Sequence, residues 1–129
     1  MSNIVTKIAD FPSFRALTGA TDEQIENAET ALSVQFSDEY CEYISAYGIA
    51  TIFGHEFTGI CDFPRLNVVD VTSFERNRTP TARAEWYVIE QANIDGIVIW
   101  QSSNGEVYQT IPNTDSIKLC DSLCEYLDL

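Results

Sequence analysis

Apolar residues return at helical spacing twice in the N-terminal half of the chain. The first stripe, Ile25, Ala28 and Leu32, follows Thr21-Asp22-Glu23-Gln24. There Thr21 is placed to accept a backbone N–H and Gln24 to reach back to it. That spelling predicts a helix beginning at Thr21, with Glu23 and Glu26 in early turns where the helix dipole favours carboxylates. A break at residues 34–36 precedes Ser37, a second cap candidate. Tyr40, Tyr43, Ile44 and Tyr47 then carry another stripe up to Gly48, a natural C-cap. We expect an antiparallel helix pair presenting Asp38, Glu39 and Glu42 outward.

The C-terminal half reads differently. Residues 50–53 and 56–58, broken by Gly54, predict a short hairpin or bulged strand. Residues 86–90 alternate, Asp95-Gly96 signals a turn, residues 97–101 form a second apolar run, and Ser102-Ser103-Asn104-Gly105 leads into residues 106–111. This pattern predicts a three-stranded antiparallel meander. Pro112 and Asn113 end it, and a last helix is expected from about Asp121 to Leu127, burying Leu123 with Tyr126 or Leu127. Residues 66–78 fit both periods, since Val68, Val69 and Val71 suit a strand while Val69, Thr72, Phe74 and Arg76 allow a helix.

Composition sets the outer bounds. The 129 residues, 45% of them hydrophobic and 12% aromatic, suffice for one compact domain over residues 1–129. The start, MSNIVTKIADFPSF, lacks the basic and apolar regions of a signal peptide, and no apolar run approaches bilayer length, so the expected location is the cytoplasm. Four cysteines, Cys41, Cys61, Cys120 and Cys124, form no CxxC pair and are expected as reduced, mostly buried thiols.

Charge changes the picture most. Twenty acidic against seven basic residues give a net charge of -13, and no lysine or arginine falls between Arg15 and Arg65. Such a surface repels nucleic-acid phosphates and anionic lipid and favours a basic protein partner. Arg65, Arg76, Arg78 and Arg83 are too few, within so acidic a chain, to make a nucleic-acid footprint.

Candidate chemistry is sparse. His55 is the single histidine, and its neighbour Glu56 would point to the opposite face of a strand. Cys120 and Cys124 share a face only if the last helix already includes Cys120, and two sulfurs do not close a zinc site. The scattered single glycines make no phosphate-binding loop, and Asp95-Gly96 and Asn104-Gly105 lack the ligand series of a calcium loop. No metal and no cofactor are expected. An interaction surface remains: Asp38, Glu39, Glu42, Glu56, Asp62, Asp95 and Glu106 as partners for lysine or arginine, with Tyr43 as an aromatic contact. Tyr47, Trp86, Trp100 and Tyr108 are further aromatic candidates, each weighed against core packing, which is the stronger reading for Trp100.

The order of three stretches resembles the SUKH superfamily, which includes a yeast regulator of cell-wall synthesis. These are TDEQIENAETALSVQFSDEYCEYISAYG, then GHEFTGI, then YVIE followed by DG, NGEVY and SL-x-EYL. The resemblance runs from about Thr21 to Leu129. It implies an α+β fold with helices around one antiparallel sheet of about five to six strands, and it favours a helix over residues 66–78. It further implies no catalytic centre and, as in many bacterial members, an immunity protein that blocks a cognate polymorphic or contact-dependent toxin. Such toxins include nucleases, whose basic substrate surfaces suit an acidic inhibitor. The alternatives are an adaptor or regulatory binding module without a toxin partner, and a small hydrolase using His55 with a cysteine or carboxylate. The implied fold carries no toxin contacts with it, because those must differ between members to keep pairing specific.

Overall fold

A computed structural model describes residues 3–52, 54–92 and 94–129. Its elements run α1 (Ile4–Ala9), β1 (Arg15–Ala16), α2 (Asp22–Leu32), α3 (Asp38–Tyr47), β2 (Ala50–Ile52), β3 (His55–Glu56) and α4 (Val68–Arg78). They continue with β4 (Tyr87–Gln91), β5 (Val98–Gln101), β6 (Val107–Thr110), β7 (Ile117–Cys120) and α5 (Leu123–Tyr126). This is the α+β class expected. The strands form two antiparallel sheets, β1-β2-β3 and β4-β5-β6-β7, and an isolated bridge between Phe57 and Glu90 couples one to the other.

The helix signals act as they read. Thr21 Oγ1 accepts from Gln24 N at 3.2 Å while Gln24 Oε1 accepts from Thr21 N at 2.9 Å, a complete capping box. Ser37 Oγ accepts from Tyr40 N at 3.0 Å, and Gly48 closes α3 at φ +71°. Ile25, Ala28 and Leu32 are all buried, as the stripe predicted. Residues 68–78 are helical, started by Asn67, whose Oδ1 accepts from Val69 N and Asp70 N. The face that α4 buries is Val68, Val71, Thr72 and Glu75, an i, i+3, i+4, i+7 set, whereas Phe74 is exposed.

The four-stranded sheet is covered on both sides, and the period of two sorts its side chains between two cores. Tyr87, Ile89, Ile99 and Val107 join the larger core with Ile4, Ile8, Leu32, Tyr40, Tyr43, Ile44 and Leu123. Val88, Val98 and Trp100 join the smaller one with Val71 of α4 and Trp86. Trp86 stacks on Tyr108 at 4.1 Å, so both tryptophans are core residues. Tyr47 is half-buried, its hydroxyl donating to Val5 O at 2.8 Å.

Four elements differ from the sequence reading. The short α1 and β1 and the edge strand β7 lie outside it, and the last helix is one turn, starting after Ser122, whose Oγ accepts from Glu125 N. Cys120 therefore belongs to β7 and shares no helical face with Cys124. The expected β2–β3 hairpin is present in register, with Thr51 opposite Glu56 and Ile52 opposite His55. Phe53, at the end of its first predicted segment, lies outside the described residues. Gly59 is where three backbone segments meet: a Cβ there would stand 1.7 Å from Gly48 O, so no side chain fits. Its N–H donates to Leu66 O and its carbonyl accepts from Val68 N, tying the entry of α4 to the end of α3.

Candidate functional site: an acidic double groove

Two open grooves adjoin along α3. One, of about 650 Å³, runs between α2 and α3 and is lined by Asp22, Glu26, Glu29 and Glu42 over Val5, Ile25 and Ala46. The other, of about 640 Å³, lies between α3 and the β5–β6 turn and α5, where Asp38, Glu39, Glu42, Asn104 and Asp121 contribute. Cys41 and Glu42 belong to both. Among the described residues seven carboxylates thus line the pair, one of them the buried Glu39, and no lysine or arginine does. The local potential registers on Cys41: burial first, then Glu29, Asp38 and Glu42, push its thiol up to about 11.

The helices set this arrangement. Asp22, Glu26 and Glu29 recur at i, i+4 and i+7 on α2, facing the side of α3 that carries Cys41, Glu42, Ser45 and Ala46. Glu29 also accepts from Phe36 N at 2.8 Å, which fixes the α2–α3 connection. At the far rim Lys118 Nζ bridges Asp121 Oδ1 at 2.7 Å and Glu106 Oε2 at 2.8 Å. Hydrogen bonds from Lys118, then Tyr108 and Asn104, hold the Glu106 carboxyl down to about 2.

Glu39 is a correction to the expected surface. It is buried at 7% exposure, and its Oε1 accepts from Leu123 N at 2.6 Å and Gln101 Nε2 at 3.0 Å while Oε2 accepts from Cys124 N at 2.9 Å. The carboxylate thus takes up backbone donors at the start of α5 that no other group satisfies. Gln101 continues the network: its Oε1 accepts from Tyr87 Oη at 2.8 Å and Ser37 Oγ at 3.1 Å. Tyr43 is the second correction. Fully buried, it accepts from Ala50 N at 2.9 Å and donates to Thr58 O at 2.7 Å, so it joins α3 to the first sheet and contributes no exposed aromatic contact.

The other candidates disperse. Asp38 and Glu42 stand together on the double groove, with Glu106 tied to its rim through Lys118. Glu56 forms a two-pronged ion pair with Arg65, at 2.8 and 3.1 Å, which holds its carboxyl below the usual range. Asp62 lines a different groove beside Leu17 and Phe63, and Asp95 occupies the β4–β5 turn at φ +53°. Sequence reasoning left Asp22, Glu26, Glu29 and Asp121 out of the site. The i, i+4, i+7 spacing on α2 was the signal that would have found the first three.

His55 turns away from Glu56, as the strand geometry predicted. Its Nδ1 lies 2.9 and 3.0 Å from the two oxygens of Glu90, a carboxylate that also accepts from Tyr126 Oη at 2.5 Å. Burial and then Glu90 push the Tyr126 hydroxyl far up. The imidazole stacks on Phe57, so the cluster fastens the β2–β3 hairpin to β4 and α5. The small concavity beside it is lined by Thr51, Glu56, Gln91 and neighbours, with no cysteine or serine among them. All four cysteines are free thiols. Among the described residues no group of three or more potential ligands is placed to hold a metal, and no helix is long and apolar enough to cross a membrane.

The chain is thus an α+β domain with its helices packed on antiparallel sheets and an acidic helical face. The profile of the SUKH_5 family, described as SMI1-KNR4 cell-wall, matches residues 1–128, and the chain belongs to that family within the SUKH superfamily. The match includes the segment before Thr21, so α1 and β1 are part of the family's domain. No curated protein matches the chain.

Proposed function

We propose that this protein is a cytoplasmic immunity protein that binds a cognate toxin through the acidic double groove and covers the toxin's active or substrate-binding surface. The observation that carries this reading is the lining of two adjoining grooves by six carboxylates besides the buried Glu39, with no lysine or arginine among the described lining residues, in a chain of the SUKH superfamily. A toxin that cleaves nucleic acid must concentrate lysine and arginine where it grips phosphate, and that surface is complementary to this one. The apolar floor of Ile25, Ala46 and Val5 supplies the contact area that charge alone does not.

The test is co-purification of the tagged chain with the product of the neighbouring gene, together with rescue of cells that express that product. Binding with rescue is the expected result, and the double variant Asp38→Lys, Glu42→Lys should weaken binding by about tenfold or more. A second reading, a regulatory binding module, is favoured by the family's cell-wall description. Binding to a partner without any rescue of toxicity would select it.

A further inference from the structure

The four-stranded sheet ends on β7, which has a strand on one side only. In an antiparallel ladder the residues alternate between those bonded to the neighbour and those whose backbone groups face away. Ser102 N donates to Glu106 O at 3.0 Å, so Glu106, Tyr108 and Thr110 turn their backbone groups toward β5, and Val107 and Gln109 turn theirs toward β7. Ile117, opposite Gln109, is therefore bonded to β6, whereas Lys118, opposite Tyr108, points its N–H and C=O away from the sheet. The same alternation turns Ser116 outward. Among the described residues, no backbone hydrogen bond outside the β6–β7 ladder involves Ser116 or Lys118. Such edges are usually guarded by an outward lysine, a proline or a covering segment. Here Lys118 is drawn back onto its own sheet, its Nζ held between Glu106 and Asp121. Strand β7 has no proline, and its Ile117 is 49% exposed. One guard is present: a register shift at Val107/Tyr108 breaks the ladder just past Lys118 and keeps the open run short.

We propose that the outer edge of β7 takes a short extended segment of a protein partner as a fifth strand, with side chains alternating between apolar and cationic. Ser116 and Lys118 supply the N–H and C=O groups for its ladder. On one face an apolar side chain of the added strand covers Ile117. On the other, lysine or arginine meets Glu106 and Asp121, which share a single lysine and so keep a formal surplus of one negative charge. Asp115, exposed just before the strand, extends that field. A second copy of this chain fits worse. Pairing β7 with its copy about Lys118 sets lysine against lysine, and every register brings two molecules of charge -13 together over a four-residue strand. The site is separate from the double groove and holds whether or not the partner is a toxin.

The experiment is an amide NMR titration of the full chain with three capped hexapeptides: alternating valine and lysine, alternating valine and glutamate, and the lysine peptide N-methylated at every residue. The last keeps charge and side chains but donates no backbone hydrogen bond. For the lysine peptide we expect saturable shifts at residues 115–118 and slowed exchange of the Ser116 and Lys118 amides. Binding of the other two should be at least about tenfold weaker. Lys118→Pro removes one outward N–H while sparing the β6 ladder, and should abolish those shifts. Lys118→Ala keeps the N–H and should bind at least as tightly. Should Lys118→Pro fail to fold, the N-methylated peptide decides alone. The proposal is overturned by equal binding of the parent and N-methylated peptides, by preference for the glutamate peptide, by undiminished shifts in a folded Lys118→Pro, by shifts confined to the double groove, or by no saturable shift. About tenfold weaker binding to Lys118→Ala would also overturn it, since the side chain and not the backbone would then carry the site. So would a dimer in sedimentation that Lys118→Pro dissociates, because the edge would then belong to a second copy.

Discussion

Glu39 and Glu42 stand three residues apart on α3, and the helix treats them as members of two different regions. Glu39 lies beneath α5 with three donors closed on its oxygens, whereas Glu42 lines the junction of two open grooves. The difference is geometric. Glu39 shares the face of Tyr40, Tyr43 and Ile44, and a carboxylate on that face has to meet buried donors. A formal charge of -13 therefore overstates the acid available to a partner, since Glu39, Glu75 and Glu90 are all buried.

Breaking the buried side should have the largest effect. Glu39→Ala leaves Leu123 N, Cys124 N and Gln101 Nε2 without their carboxylate acceptor, and we expect a loss of about 3–5 kcal/mol in urea unfolding. Amide exchange at Leu123 and Cys124 should accelerate far more than exchange within α2. A two-state loss below about 1 kcal/mol would mean that α5 is held by apolar packing alone. Tyr43→Phe deletes one hydroxyl but strands both Ala50 N and Thr58 O, so a loss of about 1–3 kcal/mol is expected from the same measurement.

The open side should respond in the opposite way. Asp38→Lys with Glu42→Lys should move stability by no more than about 0.5 kcal/mol per site while changing the salt dependence of partner binding. The smallest expected effect is at the rim. The Glu106 carboxyl is held below the ordinary glutamate value, so its contribution is present above the usual carboxylate range and is lost as pH falls toward about 2. Lys118→Ala should return its titration toward about 4.3, read by carboxyl NMR, with little change in melting because both groups meet solvent. An unmoved midpoint would transfer the control to Tyr108 and Asn104.

Local chemistry carried the sequence reading as far as local chemistry reaches. The Thr21 box, the Ser37 cap, Gly48 and the meander turns were legible because each rests on residues within a few positions of one another. The α1 helix was not, since its six residues gain stability only by burying Ile4 and Ile8 against α3 and α5. Strand β7 was missed for a related reason: it is an edge strand with Ile117 and Lys118 exposed, so it shows neither a buried run nor clean alternation. Glu39 was legible in principle, four residues before Tyr43 on one face, but acid on a helix was read as solvent-facing. The Glu90 environment was not legible, because a register shift between Val88 and Glu90 leaves Ile89 and Glu90 buried in succession.

The two indoles, Trp86 and Trp100, both reside in the smaller core, and none lies on the α2–α3 side. Intrinsic fluorescence of this protein is consequently a local gauge. Trp100 donates its Nε1–H to Thr110 Oγ1 at 2.8 Å, and Thr110 lines a concavity between the end of α4 and the β6–β7 connection. A change at the smaller core should shift the emission, while a tryptophan-free partner on the double groove should leave it unchanged. The native chain thus carries its own optical means of telling its two faces apart, with no label attached.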